Sequence, residues 1–152
     1  MPNWSSNWLV SLPLILITVL IHVLCLVVIR NWVTDLLARI AGIHRFRFVF
    51  AWIMGGTVLL VTTLHAIEAA VWGSAYLMLG ALPDAKSAML YSLSAMTTYG
   101  HAAIYLEHQW QMMGAVEALN GIVLFGLTAA ILFSVVESAS KMEDRRRRDE
   151  QS

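Results

Sequence analysis

Three long apolar runs dominate the sequence and restrict what it can fold into. They lie at about residues 9–29, 48–72 and 112–136, and each has roughly the 20 residues that a helix needs to cross the hydrocarbon core of a bilayer. A chain in lipid must satisfy its backbone hydrogen bonds internally, so these runs predict helices. Only 13% of the residues are charged, against about 25% in a soluble domain. We therefore expect an all-α integral membrane protein with three transmembrane helices.

A fourth helix is predicted between the second and third runs, and it is too short to span a bilayer. Asp84 is a suitable N-cap for a helix over residues 85–96, which would rise only about 18 Å. The stretch after it, residues 97–101, is too polar to continue into lipid. Non-helical backbone survives at membrane depth only inside protein or beside water. A re-entrant helix followed by a loop is the expected structure.

The basic residues predict the orientation in the membrane. Four arginines lie in the connector at 30–47 and five basic residues lie in the tail at 138–152, out of ten Lys and Arg in the chain. The positive-inside rule then places both segments in the cytoplasm and residues 1–8 outside. A fourth complete crossing would move the basic tail outside, so re-entry of residues 85–96 is the consistent reading.

The two basic segments are also expected to be helical. Val33, Leu36, Leu37 and Ile40 recur at helical spacing in the connector, which favours a separate amphipathic helix at the interface, ended at Gly42. The tail alternates acidic and basic blocks and is expected to extend the last helix into water.

The order of these elements resembles the pore domain of tetrameric potassium channels, in particular the short prokaryotic type with two helices around a pore loop. The likeness covers about residues 45–141, and Tyr105 and Trp110 also stand at familiar positions. The resemblance implies a pore domain at 48–137, in a homotetramer in a prokaryotic inner or plasma membrane. Its parts would be an outer helix at 48–72, a pore helix at 85–96, a selectivity filter at 97–101 and an inner helix at 112–136.

The resemblance also implies roles for individual residues in a cation channel that conducts K⁺ or Na⁺. The ion-binding filter residues would be Thr97, Thr98, Tyr99, Gly100 and His101. The residues at the cavity or at an inner-helix hinge would be Asn120, Gly121, Ile122 and Phe125. The residues that support the filter would be Ser94, Glu117 and Glu68.

The filter departs from the family pattern at several positions. The family has Thr-Thr-Val-Gly-Tyr-Gly where this chain has Thr-Thr-Tyr-Gly-His-Ala, so Ala102 replaces a glycine that supplies special backbone torsions. Ala103 replaces an aspartate, and Ser94 stands in the place of its carboxylate partner. These changes predict weak or altered K⁺ selectivity. A ring of His101 side chains would titrate near neutral pH, which makes proton-sensitive conduction a hypothesis.

The first run, residues 9–29, is an extra helix beyond the minimal pore plan, and its accessory partner, if it has one, is not identified by the sequence. His22 within it is expected to face the bundle and form a hydrogen bond, and Cys25 to act as a small apolar residue. The expected partners are the lipid bilayer and further copies of the chain, and nucleic acid is not expected.

Two alternatives stay open beside the channel: a non-conducting membrane oligomer, and a haem or metal protein. The second reading depends on His65 and Glu68, which share one helix face. No CxxCH motif is present, and Cys25 is the single cysteine. We therefore expect no cofactor and no metal site. Because nucleophile and phosphate-loop motifs are also missing from the sequence, we do not expect an enzyme.

Overall fold

The computed structural model describes residues 4–40, 45–100 and 103–149. Its regular elements in these ranges are a 3₁₀ turn at His108–Trp110 and the α-helices α1 (Trp4–Ile40), α2 (Phe46–Met78), α3 (Ala85–Met96) and α4 (Gln111–Asp149). Among the described residues, three stretches are long and apolar enough to cross a membrane, namely Ser5–Ile40, Phe46–Met78 and His108–Asp144. The prediction of an all-α chain with three apolar spans and one short helix is therefore confirmed.

Helix α1 is longer than predicted, because the connector continues it. Residues 14–40 contain neither proline nor glycine, so nothing in this part of the sequence interrupts the helix. Val33 and Leu37, the apolar positions that predicted a separate amphipathic helix, are buried side chains of the same α1. Gly42, the predicted helix end, lies outside the described residues.

Helix α2 also runs further than predicted, to Met78 rather than to about residue 72. Gly73 does not end the helix but lies inside it. The glycine packs close to α3, because a Cβ there would lie 3.4 Å from the carbonyl carbon of Ala88. The helix ends instead at Gly80, which has a φ of +63°. The N–H of Gly80 donates to Leu77 and that of Ala81 to Tyr76, the hydrogen-bond pattern of a Schellman motif.

The short helix α3 begins and ends where the sequence predicts. Asp84 is its N-cap, and its carboxylate accepts hydrogen bonds from the Ser87 N–H at 2.9 Å and the Ser87 hydroxyl at 2.7 Å. These two donors, the hydroxyl first, lower the pKa of Asp84 below its ordinary value. The start of α3 is therefore set by local chemistry.

The chain forms two compact units. The first comprises Met1–His22 and Leu64–Gly126, and the second comprises Val23–Thr63 and Leu127–Ser152. The core of the first unit includes Trp72, Tyr76, Met96, Met113 and Leu124. The core of the second unit consists of Val33, Leu37, Phe46, Val135 and Ala139. Helix α3, the segment that follows it and the predicted support residues all belong to the first unit.

Candidate functional site

Glycines of α4 allow it to approach α3 closely. A Cβ on Gly121 would lie 2.8 Å from the carbonyl carbon and 2.9 Å from the Cα of Met96, the last residue of α3. A Cβ on Gly114 would lie 3.0 Å from Cζ of the Tyr91 side chain. A side chain at position 121 would overlap the backbone of Met96, so this position needs glycine, whereas a side chain at position 114 would require the Tyr91 ring to shift. Gly121, predicted as a hinge, lies within the continuous helix α4 and packs against the last residue of α3.

A buried carboxylate connects α3 to the two long helices beside it. Glu117 of α4 accepts a hydrogen bond from the Tyr76 hydroxyl of α2 at 2.5 Å, and its other oxygen contacts the Ser92 hydroxyl of α3. Ser92 also lies 2.7 Å from the Ala69 carbonyl oxygen, so its one proton is flanked by two acceptors. A carboxylate among apolar side chains is costly unless it is hydrogen-bonded. Glu117 is thus well placed for the supporting role that the resemblance implies.

Ser94, the second predicted support residue, acts through its backbone. Its hydroxyl donates to the Leu90 carbonyl one turn earlier, at 2.8 Å, and therefore stays within α3. Its own carbonyl accepts the N–H of Tyr99 at 2.9 Å and the N–H of Gly100 at 3.4 Å. The contact between this position and the predicted filter is thus between main-chain groups.

The segment Thr97–Gly100 begins as a tight turn on the end of α3. Besides the bonds to Ser94, Thr97 donates to Leu93 and Thr98 donates to Ala95. The bonds of Thr98 and Tyr99 are those of a second Schellman motif, in which Thr98 has a φ of +56°. That position is usually glycine, because a residue with a side chain pays about 1–2 kcal/mol in this region. Gly100, with a φ of +72°, adopts the same region without that cost.

The peptide groups of this segment have a consistent direction. In a trans peptide the N–H of one residue points opposite to the carbonyl of the residue before it, and the described peptide bonds are all trans. Since the N–H groups of Thr98, Tyr99 and Gly100 point toward α3, the carbonyls of Thr97, Thr98 and Tyr99 point away from it. These residues are exposed in the single chain. Three consecutive carbonyl oxygens are therefore available to a group outside the chain.

His101, the last predicted filter residue, and Ala102 lie outside the described residues. The proposal that His101 titrates in a ring stays a prediction.

Glu68, the third predicted support residue, lies in a different polar cluster. Its Oε1 is 2.8 Å from Nδ1 of His22 on α1, and its Oε2 is 3.2 Å from Nδ1 of His65, one turn earlier on α2. All three residues are buried. The prediction that His22 forms a hydrogen bond within the bundle is confirmed. One ligand atom from each residue lies within 4.8 Å of the others, so these three residues form the group that could hold a metal ion in the part of the chain that the structure describes.

The predicted cavity residues of α4 differ in their surroundings. Asn120 is buried and its side-chain amide donates to the Thr18 hydroxyl of α1 at 2.9 Å. Phe125 stacks on the ring of His65, with 4.2 Å between centroids. Ile122 is exposed. In the single chain, therefore, Asn120 and Phe125 contact helices of the same chain, while Ile122 and part of Phe125 are open to a neighbour or to water.

Sequence reasoning missed the polar stripe of α1 that makes these contacts. Asn7, Ser11, Thr18 and His22 are separated by four, seven and four residues, a spacing that places them on one helix face, and all four are buried. Asn7 donates to the Gln109 carbonyl at 2.8 Å, close to the start of α4. The spacing was visible in the sequence and was the available signal. It shows that the extra helix α1 packs against the rest of the first unit through polar contacts.

Comparison of the chain with protein-family models, with curated proteins and with solved structures gives no match.

Proposed function

We propose that this chain is one subunit of a homotetrameric, potassium-channel-like cation channel. The observation that carries the proposal is the set of three consecutive carbonyl oxygens, from Thr97 to Tyr99, that point away from α3 at an exposed surface. A selectivity filter needs such oxygens, because they replace the hydration shell of a permeating cation. One chain supplies one edge of such a lining, so several copies must surround a common axis.

The position of α3 supports the same proposal. The helix lies between two spans in the sequence, and its last residue packs against Gly121 of α4. The C-terminal end of a helix carries partial negative charge, which attracts a cation near the TTYG segment. Buried Glu117 connects α3 to both neighbouring spans. This contact fixes the position of α3 and, with it, the position of the carbonyl oxygens that follow the helix. Firm placement matters because an ion site depends on the position of its ligands.

The exposed side chains are consistent with a membrane and with neighbouring copies. Leu9, Leu16 and Leu59 are large apolar residues that are well exposed on helices long enough to span, as expected for a surface against lipid. Tyr99 is 82% exposed in the single chain, next to the proposed ion-binding oxygens. Further copies of the chain around the pore would cover this side chain.

Selectivity between K⁺ and Na⁺ is expected to be weak. The described part of the segment offers three carbonyl oxygens, those of Thr97, Thr98 and Tyr99, so the number of ion sites is small. Ala102 replaces the second glycine of the family pattern, which further shortens the available lining. We infer a cation pore with few sites rather than a standard potassium filter.

The test is ion flux through the full-length protein reconstituted in liposomes, with K⁺, Na⁺ and Ca²⁺ measured separately. The diagnostic variant is Gly100→Ala, which puts a side chain at a φ of +72° in the proposed filter. The matched control is Gly80→Ala, which imposes the same kind of strain at a φ of +63° in the turn after α2. Neither glycine has atoms within 4 Å of an added Cβ, so the two variants differ in place rather than in crowding.

We expect monovalent cation flux in the wild type, loss of at least about tenfold in Gly100→Ala, and flux near the wild-type level in Gly80→Ala. Equal loss of cation flux in both variants would mean that the loss comes from destabilisation of the protein and not from a change in the proposed filter. A wild-type protein that assembles but carries no cation would overturn the proposal and favour the non-conducting oligomer.

A further inference from the structure

The cluster of His22, His65 and Glu68 joins α1 to α2 inside the first unit. The Nδ1 atoms of both imidazoles approach one carboxylate from two sides, at 2.8 Å and 3.2 Å, and the two rings are 5.1 Å apart between centroids. The side chains of His22 and Glu68 are fully buried, and that of His65 is 10% exposed. Three groups that bind metals therefore converge on one point, and one of them has an edge open to the outside.

The chemistry of this set matches a divalent transition metal. Two neutral imidazoles and a carboxylate ligate Zn²⁺, Fe²⁺ or Co²⁺, while the lack of a thiolate in the cluster makes it a poor site for Cu⁺. A dication would also compensate the charge of a carboxylate held among apolar side chains. With bonds of about 2.1 Å, tetrahedral ligand atoms lie about 3.4 Å apart. To reach that separation, the contacts at 2.8 Å and 3.2 Å need to lengthen by about 0.6 Å and about 0.2 Å.

We propose that His22, His65 and Glu68 bind one divalent transition metal ion, with Zn²⁺ as the probe, and that the ion ties α1 to α2. This differs from the expectation of no metal site in the sequence analysis, because the ligand from α1 lies 46 residues from Glu68 and is brought to it by packing. A metal-bound Nδ1 carries no proton, so binding requires each ring to hold its proton on Nε2. Water fills the fourth position.

The proposal also gives α1 a role beyond an extra crossing. The polar stripe of α1 already contacts α4 through Thr18 and the segment before α4 through Asn7. His65 stacks on Phe125 of α4, so an ion on His65 would hold a ring that packs against the inner-helix region. A metal ion bound here would thus stabilise the packing of α1, α2 and α4 in this unit.

The test is metal content, which does not depend on whether the protein conducts. Full-length protein in detergent is stripped with a chelator, exposed to Zn²⁺, freed of unbound metal and analysed by mass spectrometry. Co²⁺ is then substituted, and its visible absorption reports nitrogen and oxygen ligands in a tetrahedral site. The variants are Glu68→Gln and His65→Gln, and the control is His108→Gln, an exposed histidine outside the cluster. Circular dichroism checks that each variant keeps its helices.

We expect about one Zn²⁺ per wild-type chain, a visible Co²⁺ spectrum, and affinity lowered at least about tenfold in Glu68→Gln and His65→Gln but unchanged in His108→Gln. Should Glu68→Gln fail to fold, His65→Gln decides, since it leaves the His22–Glu68 contact in place. A wild-type protein that retains no stoichiometric metal overturns the proposal, as does equal retention in the folded variants.

Discussion

Two residues of this chain adopt the same left-handed backbone conformation at the end of a helix, and only one of them is glycine. Gly80 ends α2 with a φ of +63°, whereas Thr98 ends α3 with a φ of +56°. In both places the following N–H groups return to the last turn of the helix. Threonine at such a position costs about 1–2 kcal/mol, and strain of this kind concentrates at functional segments. The strain at Thr98 lies where we propose that ions bind.

We predict that Thr98→Gly raises the stability of the protein while it impairs conduction. Glycine removes the side-chain strain but costs more backbone entropy, so the net gain is up to about 1 kcal/mol. Thermal unfolding in detergent measures the gain. The control is Thr97→Gly, where φ is −85° and no strain is relieved. If Thr98→Gly unfolds at the same temperature as Thr97→Gly, Thr98 is not strained.

At the scale of elements, the short helix α3 depends on a face of α4 that combines glycines with one carboxylate. Gly114, Glu117 and Gly121 recur at spacings of three and four, so they share a side of α4. The glycines bring the helix backbones close, and Glu117 adds hydrogen bonds from Ser92 and Tyr76. Small residues and buried polar contacts are the usual means of packing helices in a membrane. The end of α3 is therefore held by shape and by hydrogen bonding together.

We predict that Gly121→Ala destabilises this packing and that Gly126→Ala does not. A methyl group at position 121 would lie 2.8 Å from the backbone of Met96, which cannot move aside as a flexible side chain could, whereas a Cβ at position 126 meets nothing within 4 Å. Overpacking of this kind costs typically about 1–3 kcal/mol. Both substitutions are in α4, so they share the change in helix propensity. Thermal unfolding and cation flux are the measurements, and equal behaviour of the two variants would contradict the described packing.

At the scale of the whole molecule, the charge distribution determines the expected orientation. The formal net charge is zero, but nine of the ten basic residues lie in the connector and the tail, four in one and five in the other. Basic segments next to spans stay on the cytoplasmic side. We infer an external N-terminus and a cytoplasmic C-terminus, with the TTYG segment reached from outside.

We predict that a membrane-impermeant thiol reagent labels intact cells that express Ser5→Cys but not cells that express Ser152→Cys. Both substitutions are made in a Cys25→Ala background, which removes the single native thiol. Permeabilised cells provide the control, since both positions should then react. Labelling of Ser152→Cys but not of Ser5→Cys in intact cells would reverse the orientation, and labelling of both would require a fourth crossing.

The sequence alone determined the features that depend on neighbouring residues. Run length and hydropathy identified the three spans, and the bounds of α3 followed from the cap at Asp84 and from the polar residues after Met96. These signals lie within a few residues of the element they define. The same local reasoning placed the ends of α1 and α2 too early, because helices in a packed core continue past positions that read as connector or loop.

Only the tertiary structure decided which polar side chains meet. Glu68, expected near the filter, lies beside His22 and His65, and Asn120, expected at a cavity, donates to Thr18, which is 102 residues away. Periodicity shows which residues share a helix face, but it does not show which face another helix will cover. The face that is covered depends on how glycines, rings and carboxylates fit together in three dimensions. Here the packing brings His22 to His65 and Glu68, and local patterns could not reveal this contact.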